Sequence, residues 1–346
     1  MRVFMTGATG FVGLNIVRAL LGAGHDVTSF QRPGARRQYL DRLPVRVVTG
    51  QLNDHAALCA ALHGTEAIIH TAGKTSCNWR DIDALEEANV DSTQAVLDAA
   101  TACRVRRLVY TSSTATIGSY DPVPVPANES VELRGFRARS PYALTKQRAE
   151  AILLGKHGGP ECVVLNLAEV VGPYDHTLQW GRIVLAVAAG QLPFVPPGSG
   201  TFCPAADVGT AHVAALSRGR GGERYVLGGH NVTFAAFIDA VAKVVGRPAR
   251  PRRTWPYALL RAQAQIQETL QPWLAWPPAV DAYRMRVFGG HHQFDDSRAR
   301  RDLGYQPRSL EAAIEECLQW YREHGFLPSD SARAGLATTA TKWETA

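Results

Sequence analysis

Apolar residues in the first half of the chain fall into short, nearly continuous runs separated by longer segments in which they recur every three or four positions. The runs at 2–5, 26–30, 45–49, 67–71, 107–112 and 162–166 read as strands buried on both faces. The segments at 14–21, 55–62, 85–103 and 141–156 read as helices, with Pro141 in the first turn of the last. A proline-rich stretch at 121–126 is a loop. This alternation predicts an α/β fold, a doubly wound parallel sheet wrapped by helices on both faces.

The pattern changes after Gly172-Pro173. Proline and glycine crowd residues 193–204, which read as a long loop on the substrate side. A short strand at 224–227 and a helix at 234–245, stopped by Gly246 and Pro248, follow. Residues 255–275 are apolar and aromatic; they fit a helix over a pocket or an ordinary buried helix equally well. An amphipathic helix at 310–324 precedes a small, polar, aperiodic stretch at 329–346 that predicts disorder. The expected division is a nucleotide-binding unit at 1–172, a substrate-binding region at 173–328 with crossings back to the first sheet allowed, and a tail at 329–346.

The first strand–helix junction reads Thr6-Gly7-Ala8-Thr9-Gly10-Phe11-Val12-Gly13. Three glycines at intervals of three suit a sharp turn and a close backbone approach, and the new helix offers free N–H groups and a positive dipole end to a pyrophosphate. Ser112 and Ser113 lie at the carboxyl end of the fifth strand, where open α/β sheets place their sites. Tyr142 and Lys146 stand four apart, on one face of a helix. A lysine cation beside a phenol favours the phenolate and makes a proton-transfer pair. Tyr-x-x-x-Lys is also common by chance, and an ordinary surface pair satisfies the same spacing.

Composition narrows the classes. The chain has 346 residues and a formal charge of +6, spread in small arginine clusters without interleaved aromatics, which argues against nucleic acid. Six cysteines form no C-x-x-C pair and no zinc-spaced Cys/His cluster, so reduced thiols, a cytoplasmic location and no metal are expected. No apolar run reaches the length of a membrane span, and the chain enters a strand at once, without a signal peptide pattern.

Taken in order, Thr6-Gly7-x-x-Gly10-x-x-Gly13, His70-Thr71-Ala72-Gly73, Asn89-Val90 with Thr93, Tyr110-Thr111-Ser112-Ser113, Tyr142-x-x-x-Lys146 and Gly172-Pro173 resemble the extended short-chain dehydrogenase/reductase superfamily over about residues 1–325. Within it the chain is most similar to dihydroflavonol-4-reductase-like proteins, a subgroup that includes hopanoid-associated sugar epimerases and 3β-hydroxysteroid dehydrogenase relatives. Gly222-Glu223-Arg224-Tyr225-Val226-Leu227-Gly228-Gly229 and Asp302-Leu303-Gly304-Tyr305-Gln306-Pro307 support this.

The resemblance implies a seven-stranded Rossmann sheet, a small C-terminal α+β substrate domain, NAD(P)(H) as cofactor and a homodimer built on the helices at 85–103 and 143–154. It implies Tyr142 as general acid or base, Lys146 as the group that lowers the Tyr142 pKa and meets the nicotinamide ribose, and Ser113 as the carbonyl holder. Thr6, Gly7, Gly10, Phe11, Val12, Gly13, Leu52, Thr71, Ala72, Gly73, Asn89, Thr111, Ser112, Leu167 and Val170 would border the cofactor.

The second strand ends Ser29-Phe30-Gln31-Arg32 without the carboxylate that an NAD enzyme places on the ribose. Arg32 suits a 2′-phosphate, so NADP(H) is preferred, with NAD(H) the alternative. Gln51 stands where relatives carry an aspartate near adenine, and Glu169 is an unusual acid after the sixth strand. Lys74, Cys77, Asn78, Trp79, Thr114, Glu169, Tyr174, His176, Trp180 and Arg182 are the expected substrate contacts. Trp180, Trp255, Tyr257 and Trp273 would give an aromatic chamber for a bulky ketone, aldehyde or alcohol. The leading expectation is an NADP(H)-dependent reductase. An epimerase/dehydratase that recycles its cofactor, and a cofactor-binding regulatory protein with a dead site, are the alternatives.

Overall fold

The computed structural model describes residues 1–121, 123–155, 158–191, 194–247 and 282–327, with positions 253–254, 256, 258–259, 262–263 and 265–266 between the last two stretches. The expected helix at 255–275, with Trp255, Tyr257 and Trp273, and the tail at 329–346 lie outside the described residues or nearly so.

The first half alternates strands β1 (Arg2–Thr6), β2 (Asp26–Gln31), β3 (Arg46–Thr49), β4 (Ala67–His70), β5 (Arg107–Ser113) and β6 (Glu161–Leu167) with helices α1 (Phe11–Gly22), α2 (His55–Ala61), α3 (Ile82–Leu85), α4 (Ser92–Ala102) and α5 (Pro141–Gly155). The second half adds β7 (Glu169–Val171), α6 (Gly181–Ala189), β8 (Phe194–Val195), β9 (Ser199–Pro204), α7 (Ala205–Ala215), β10 (Arg224–Leu227), β11 (His230–Thr233) and α8 (Phe234–Val245). It ends with β12 (Arg253–Thr254), α9 (Ala282–Gly289), α10 (Ser297–Leu303) and α11 (Leu310–Glu323).

Seven parallel strands form the main sheet in the order β10-β6-β5-β4-β1-β2-β3. The order reverses between β1 and β4, so the crevice at their carboxyl ends is the topological switch point where open α/β sheets bind ligands. β10 belongs to the second half of the chain yet closes the edge beside β6, pairing Arg224 with Val164 through Leu227 with Leu167. One face of the sheet packs on α1 and α7 through Leu14, Ile16, Val163 and Val208. These two helices touch closely, because a Cβ at Gly209 would stand 2.6 Å from the Asn15 carbonyl oxygen. The other face buries Phe4, Ile68, Tyr110, Leu153 and Val164 under α2, α4 and α5.

The smaller unit has its own aromatic core of Trp180, Phe202, Phe234, Phe237, Ile314 and Tyr321. Capping fixes its helices: Thr233 accepts from the Ala236 N–H, Gly246 ends α8 in the left-handed conformation, and Ser309 caps α11 on the Ala312 N–H. The expected loop at 193–204 contains β9, which pairs with β7 and β11. Its glycines and prolines suggest a loop, but its burial on every residue and its ladder bonds make it a strand.

The expected continuous helix at 85–103 is also modified. It starts at Ile82, widens to a π-helical turn at Glu86–Asp91 and becomes regular at Ser92. The wide turn carries Asn89 inward, where its side chain accepts from the Lys74 N–H and donates to the Lys74 carbonyl and the Thr145 hydroxyl. Such turns recur at functional sites.

Candidate active site

The glycine loop follows β1 directly. Gly7 has φ +72° and a Cβ there would lie 2.5 Å from the Ala72 nitrogen; a Cβ on Gly13 would lie 2.1 Å from the Gly7 oxygen. Packing of the protein itself therefore demands both. Gly10 differs: its φ is −77°, and a Cβ would meet only the Gly7 oxygen, at 3.4 Å. Nothing in the described chain requires a glycine there, so the bare backbone is left facing open space at the start of α1. That helix has no side-chain cap and no acidic residue in its first turn, which leaves the N–H groups of Phe11, Val12 and Gly13 and the dipole's positive end for an anion.

Beside this loop, at the end of β2, Gln31 is buried and its Oε1 has no hydrogen-bond partner. Arg32 is exposed and forms no ion pair among the described residues. Gln51 is exposed and Leu52 half-buried against the α2 side of the sheet.

Two buried histidines tie the strand ends together. Thr93 donates to the Asn89 carbonyl, so its hydroxyl oxygen accepts from His70 Nε2 at 3.1 Å. His70 Nδ1 then accepts from Thr6 at 2.7 Å, and Thr6 accepts from the Ala72 N–H. His212 Nδ1 donates to the Val208 carbonyl, so Nε2 accepts from Thr111, and Thr111 in turn accepts from Thr71. The Thr71 proton is thereby spent inward, and its oxygen is left as an acceptor. Burial holds His70 down to about 3, helped by Lys146, and His212 down to about 4, so both rings are neutral at neutral pH.

Tyr142 and Lys146 share a face of α5, as their spacing requires. The side chains do different things. Lys146 is buried; its Nζ donates to Tyr110 Oη and to the Thr111 carbonyl, each at 2.9 Å, and stands 4.5 Å from the Tyr110 ring centroid. Burial pulls the lysine down to about 8, against the attraction of Glu150. The expected depression of Tyr142 by Lys146 is not seen. Burial pushes Tyr142 up to about 12, hydrogen bonding with Ser113 and Thr75 pulls the other way, and Glu169 and Cys77 add to the rise. Tyr142 is a protonated phenol here. Ser113 also caps the turn after β5 by accepting from the Ala115 N–H.

Ser112 and Asn89, expected beside the cofactor, spend their side chains on partners within the protein. Strand alternation turns Ser112 away from Ser113, and its hydroxyl donates to Glu150 at 2.5 Å. Glu150, one turn beyond Lys146 on α5, also accepts from Thr116, Asn166 and Arg224. Asn89 has its amide committed to the Lys74 backbone and Thr145, so it pins the segment after β4 to α5. Leu167 and Val170 are buried core side chains.

On the substrate side the structure brings some residues together and separates others. Glu169 accepts from the Trp180 indole N–H; burial raises its carboxyl, against that bond and the pull of Arg137. Trp180 is otherwise core, stacked on Phe234 and edge-on to Phe202. Thr114 is buried, and its carbonyl accepts from Arg137. Lys74 pairs with Asp81 at 3.4 Å, Asn78 caps the short turn at Trp79–Asp81, and the Trp79 side chain is 53% exposed.

Tyr174 and His176 do not join this group. Tyr174, at φ +71°, packs with Trp320 and Tyr39 and accepts from Arg18, and His176 lies against Tyr39. Arg182 points to solvent on α6. Arg137, Tyr283 and Tyr110 are absent from the sequence-based site. A lone arginine or tyrosine carries no spacing signal, although Tyr110 does open the Tyr110-Thr111-Ser112-Ser113 motif.

Residues 3–228 match the NAD dependent epimerase/dehydratase family. The chain belongs to that family. It is 32% identical over 331 residues to "Sterol demethylase protein B" of Methylococcus capsulatus, covering 94% of this chain and all of the relative. It is 30% identical to a "Putative dihydroflavonol 4-reductase" of Synechocystis, covering 94% and 95% of the two chains. The crystal structure of gox2253 superposes with a TM-score of 0.83 at 29% identity over 94% of this chain and 98% of the other. The extended short-chain dehydrogenase/reductase resemblance and the Rossmann architecture are borne out, and the protein is an enzyme of the NAD(P)-dependent short-chain dehydrogenase/reductase type.

The family implies a pyridine nucleotide, and the residues fit one. Gly10 and the uncapped start of α1 suit the pyrophosphate. The orphaned Gln31 Oε1 and the acceptor oxygen of Thr71 suit hydroxyl donors. No helix among the described residues is long and apolar enough to cross a membrane, and no cluster of potential metal ligands occurs among them.

Proposed function

We propose that the enzyme is an NADP(H)-dependent reductase of a ketone or aldehyde on a bulky, rather apolar small molecule, with Tyr142 as general acid. The arrangement that supports this reading is Tyr142 beside Ser113 at the carboxyl end of β5 and one helical turn from the buried Lys146, with burial raising the phenol so that it rests as a proton donor. Ser113, hydrogen-bonded to Tyr142, is suited to hold the carbonyl oxygen beside the same proton. Lys146, at about 8, is cationic at neutral pH and is suited to meet the nicotinamide ribose. Bound nicotinamide would supply the hydride. Gly10, the first turn of α1, Thr71 and Lys146 would hold the dinucleotide, and Arg32, which has no ion pair among the described residues, favours a 2′-phosphate.

Turnover of the folded full-length protein with NADPH and with NADH, across ketones, steroids and nucleotide sugars, tests the reading. NADPH consumption with bulky ketones supports it. Activity only on nucleotide sugars, without added cofactor, would replace it by the epimerase/dehydratase reading that the family name favours. A homodimer through α4 and α5 is part of the proposal; a monomeric mass in solution scattering would remove it.

A further inference from the structure

Outside the candidate active site, two of the six cysteines stand together. Cys59 lies on α2 and Cys103 ends α4, in the layer that also holds Ala57 and Ala61 of α2 and Ala99 and Ala100 of α4. The Cys103 Sγ is 3.8 Å from the Cys59 carbonyl oxygen, and its thiol hydrogen-bonds with the Cys59 thiol. Both are free thiols and both side chains are half-buried, so solvent reaches them; Cys162, Cys203 and Cys317 are buried, and Cys77 belongs to the segment after β4.

The two thiols are not equivalent. His55 precedes Cys59 by four residues on α2, so the two share a face, and its ring nitrogens stand 3.7 and 3.8 Å from the Cys59 Sγ. The His55 side chain is exposed, and its ring has no other hydrogen-bond partner among the described residues. It is free to take a proton from Cys59 and pass it to solvent. Cys103 instead faces the sulfur and the carbonyl of Cys59. Burial first, and then the bond to Cys59 and the charge that Cys59 can carry, push the Cys103 thiol up to about 11. A thiol with a base on one side and a second thiol on the other has what thiol–disulfide exchange needs, one sulfur to attack and one to resolve.

We propose that Cys59 and Cys103 are a redox modification site, at which low-molecular-weight disulfides oxidise the pair to an intramolecular Cys59–Cys103 disulfide. Cys59, its proton taken by His55, attacks one sulfur of the disulfide RS–SR. The bond from Cys59 to that sulfur forms, the S–S bond of the reagent breaks, and RS⁻ leaves with the proton that His55 received. Cys103 then attacks the Cys59 sulfur, and the second RS⁻ leaves with the Cys103 proton. The two protein thiols are oxidised and RS–SR is reduced to two RSH; an excess of RSH runs the exchange backwards. The new bond closes a loop that contains β4 and the π-helical turn at Glu86–Asp91, and it ties α2 to the end of α4. None of Ser113, Tyr142 and Lys146 takes part, so the inference stands apart from the reductase reading.

The test exposes the folded full-length protein to oxidised glutathione near neutral pH, blocks unreacted thiols by alkylation, and reads the intact mass and a peptide map. The wild type should lose two hydrogens, keep no glutathione on either residue and yield a linked Cys59–Cys103 peptide pair that dithiothreitol separates. Cys103→Ser should retain glutathione on Cys59, because nothing remains to resolve it. In Cys59→Ser, Cys103 should react at least about tenfold more slowly than Cys59 does in the wild type. His55→Gln should slow the attack by Cys59 about threefold or more. Circular dichroism checks that the variants are folded, and the wild-type peptide map decides the question even where a variant is not.

Glutathione retained on Cys59 of the wild type, or a bond from either cysteine to Cys77, would overturn the proposal. So would a wild-type map in which both cysteines are alkylated and unlinked. A Cys103 that reacts as fast in Cys59→Ser as Cys59 does in the wild type would overturn the order of attack. An unchanged rate in His55→Gln would overturn the role given to His55.

Discussion

Removing one oxygen, in Tyr110→Phe, should move the pH dependence of the enzyme. Tyr110 is fully buried at the centre of β5, and its Oη accepts from Lys146 Nζ at 2.9 Å. The substitution keeps the ring and its contact with the cation but deletes this acceptor. A hydrogen bond to a charged group contributes about 1.5–3 kcal/mol, and one pKa unit corresponds to about 1.36 kcal/mol. The lysine, already drawn down to about 8 by burial, should lose its proton one to two units lower still. The free-enzyme value governs kcat/KM.

If the lysine cation is needed, the alkaline limb of kcat/KM for NADPH-dependent reduction should move from about pH 8 to about pH 6–7, and the rate at about pH 7.5 should fall about threefold to about twenty-five-fold. The assay is NADPH consumption between about pH 5.5 and 9.5, with the Lys146 side-chain nitrogen followed by NMR in the same variant. An alkaline limb that stays in place while the NMR value drops would refute the need for the cation. A limb and an NMR value that both stay in place would refute the electrostatic role given to Tyr110.

Other perturbations give equally direct readouts. Acid should destabilise the fold through His70, His212 and His292, held near 3, 4 and 3 by burial against an ordinary value of 6.5. The unfolded chain binds the extra protons, so stability is full above about pH 6.5 and declines below it; at about pH 5 each ring costs about 2 kcal/mol. Urea midpoints at the two pH values check this, and an unchanged midpoint would count against it. Gly10→Ala should alter the melting free energy by no more than about 1 kcal/mol yet weaken NADP(H) binding by about tenfold or more, whereas Gly13→Ala, with its Cβ 2.1 Å from backbone, should misfold. Arg32→Ala should cut NADPH affinity by about tenfold and leave NADH nearly untouched; equal losses for both cofactors would remove the 2′-phosphate role.

The parts of this site that sequence reveals are those set by backbone geometry or helical spacing. Gly7 and Gly13 are required by contacts within a few residues or across one strand pair. Tyr142 and Lys146 share a helix face by arithmetic alone. What stays hidden depends on tertiary partners. Spacing put Lys146 beside Tyr142, but its ammonium is held by Tyr110, a residue of the neighbouring strand. Ser112 looks like the twin of Ser113, but the alternation of β5 sends it to Glu150 on the opposite side. Tyr174 and His176 follow Gly172-Pro173 closely, and the left-handed turn at Tyr174 carries both to the aromatic cluster around Tyr39 and Trp320. Arg137 reads as one more loop arginine, and only the packing of Phe294 and Tyr283 against it reveals a buried charge.

The central claim is that Tyr142, protonated in the resting enzyme, delivers the proton that accompanies hydride transfer. Single-turnover oxidation of NADPH by folded Tyr142→Phe, with the best ketone of the substrate panel, tests it most directly. Loss of a positioned acid should slow the step by about 10²–10⁴-fold while cofactor affinity stays near that of the wild type. A single-turnover rate within a few-fold of the wild type would contradict the account.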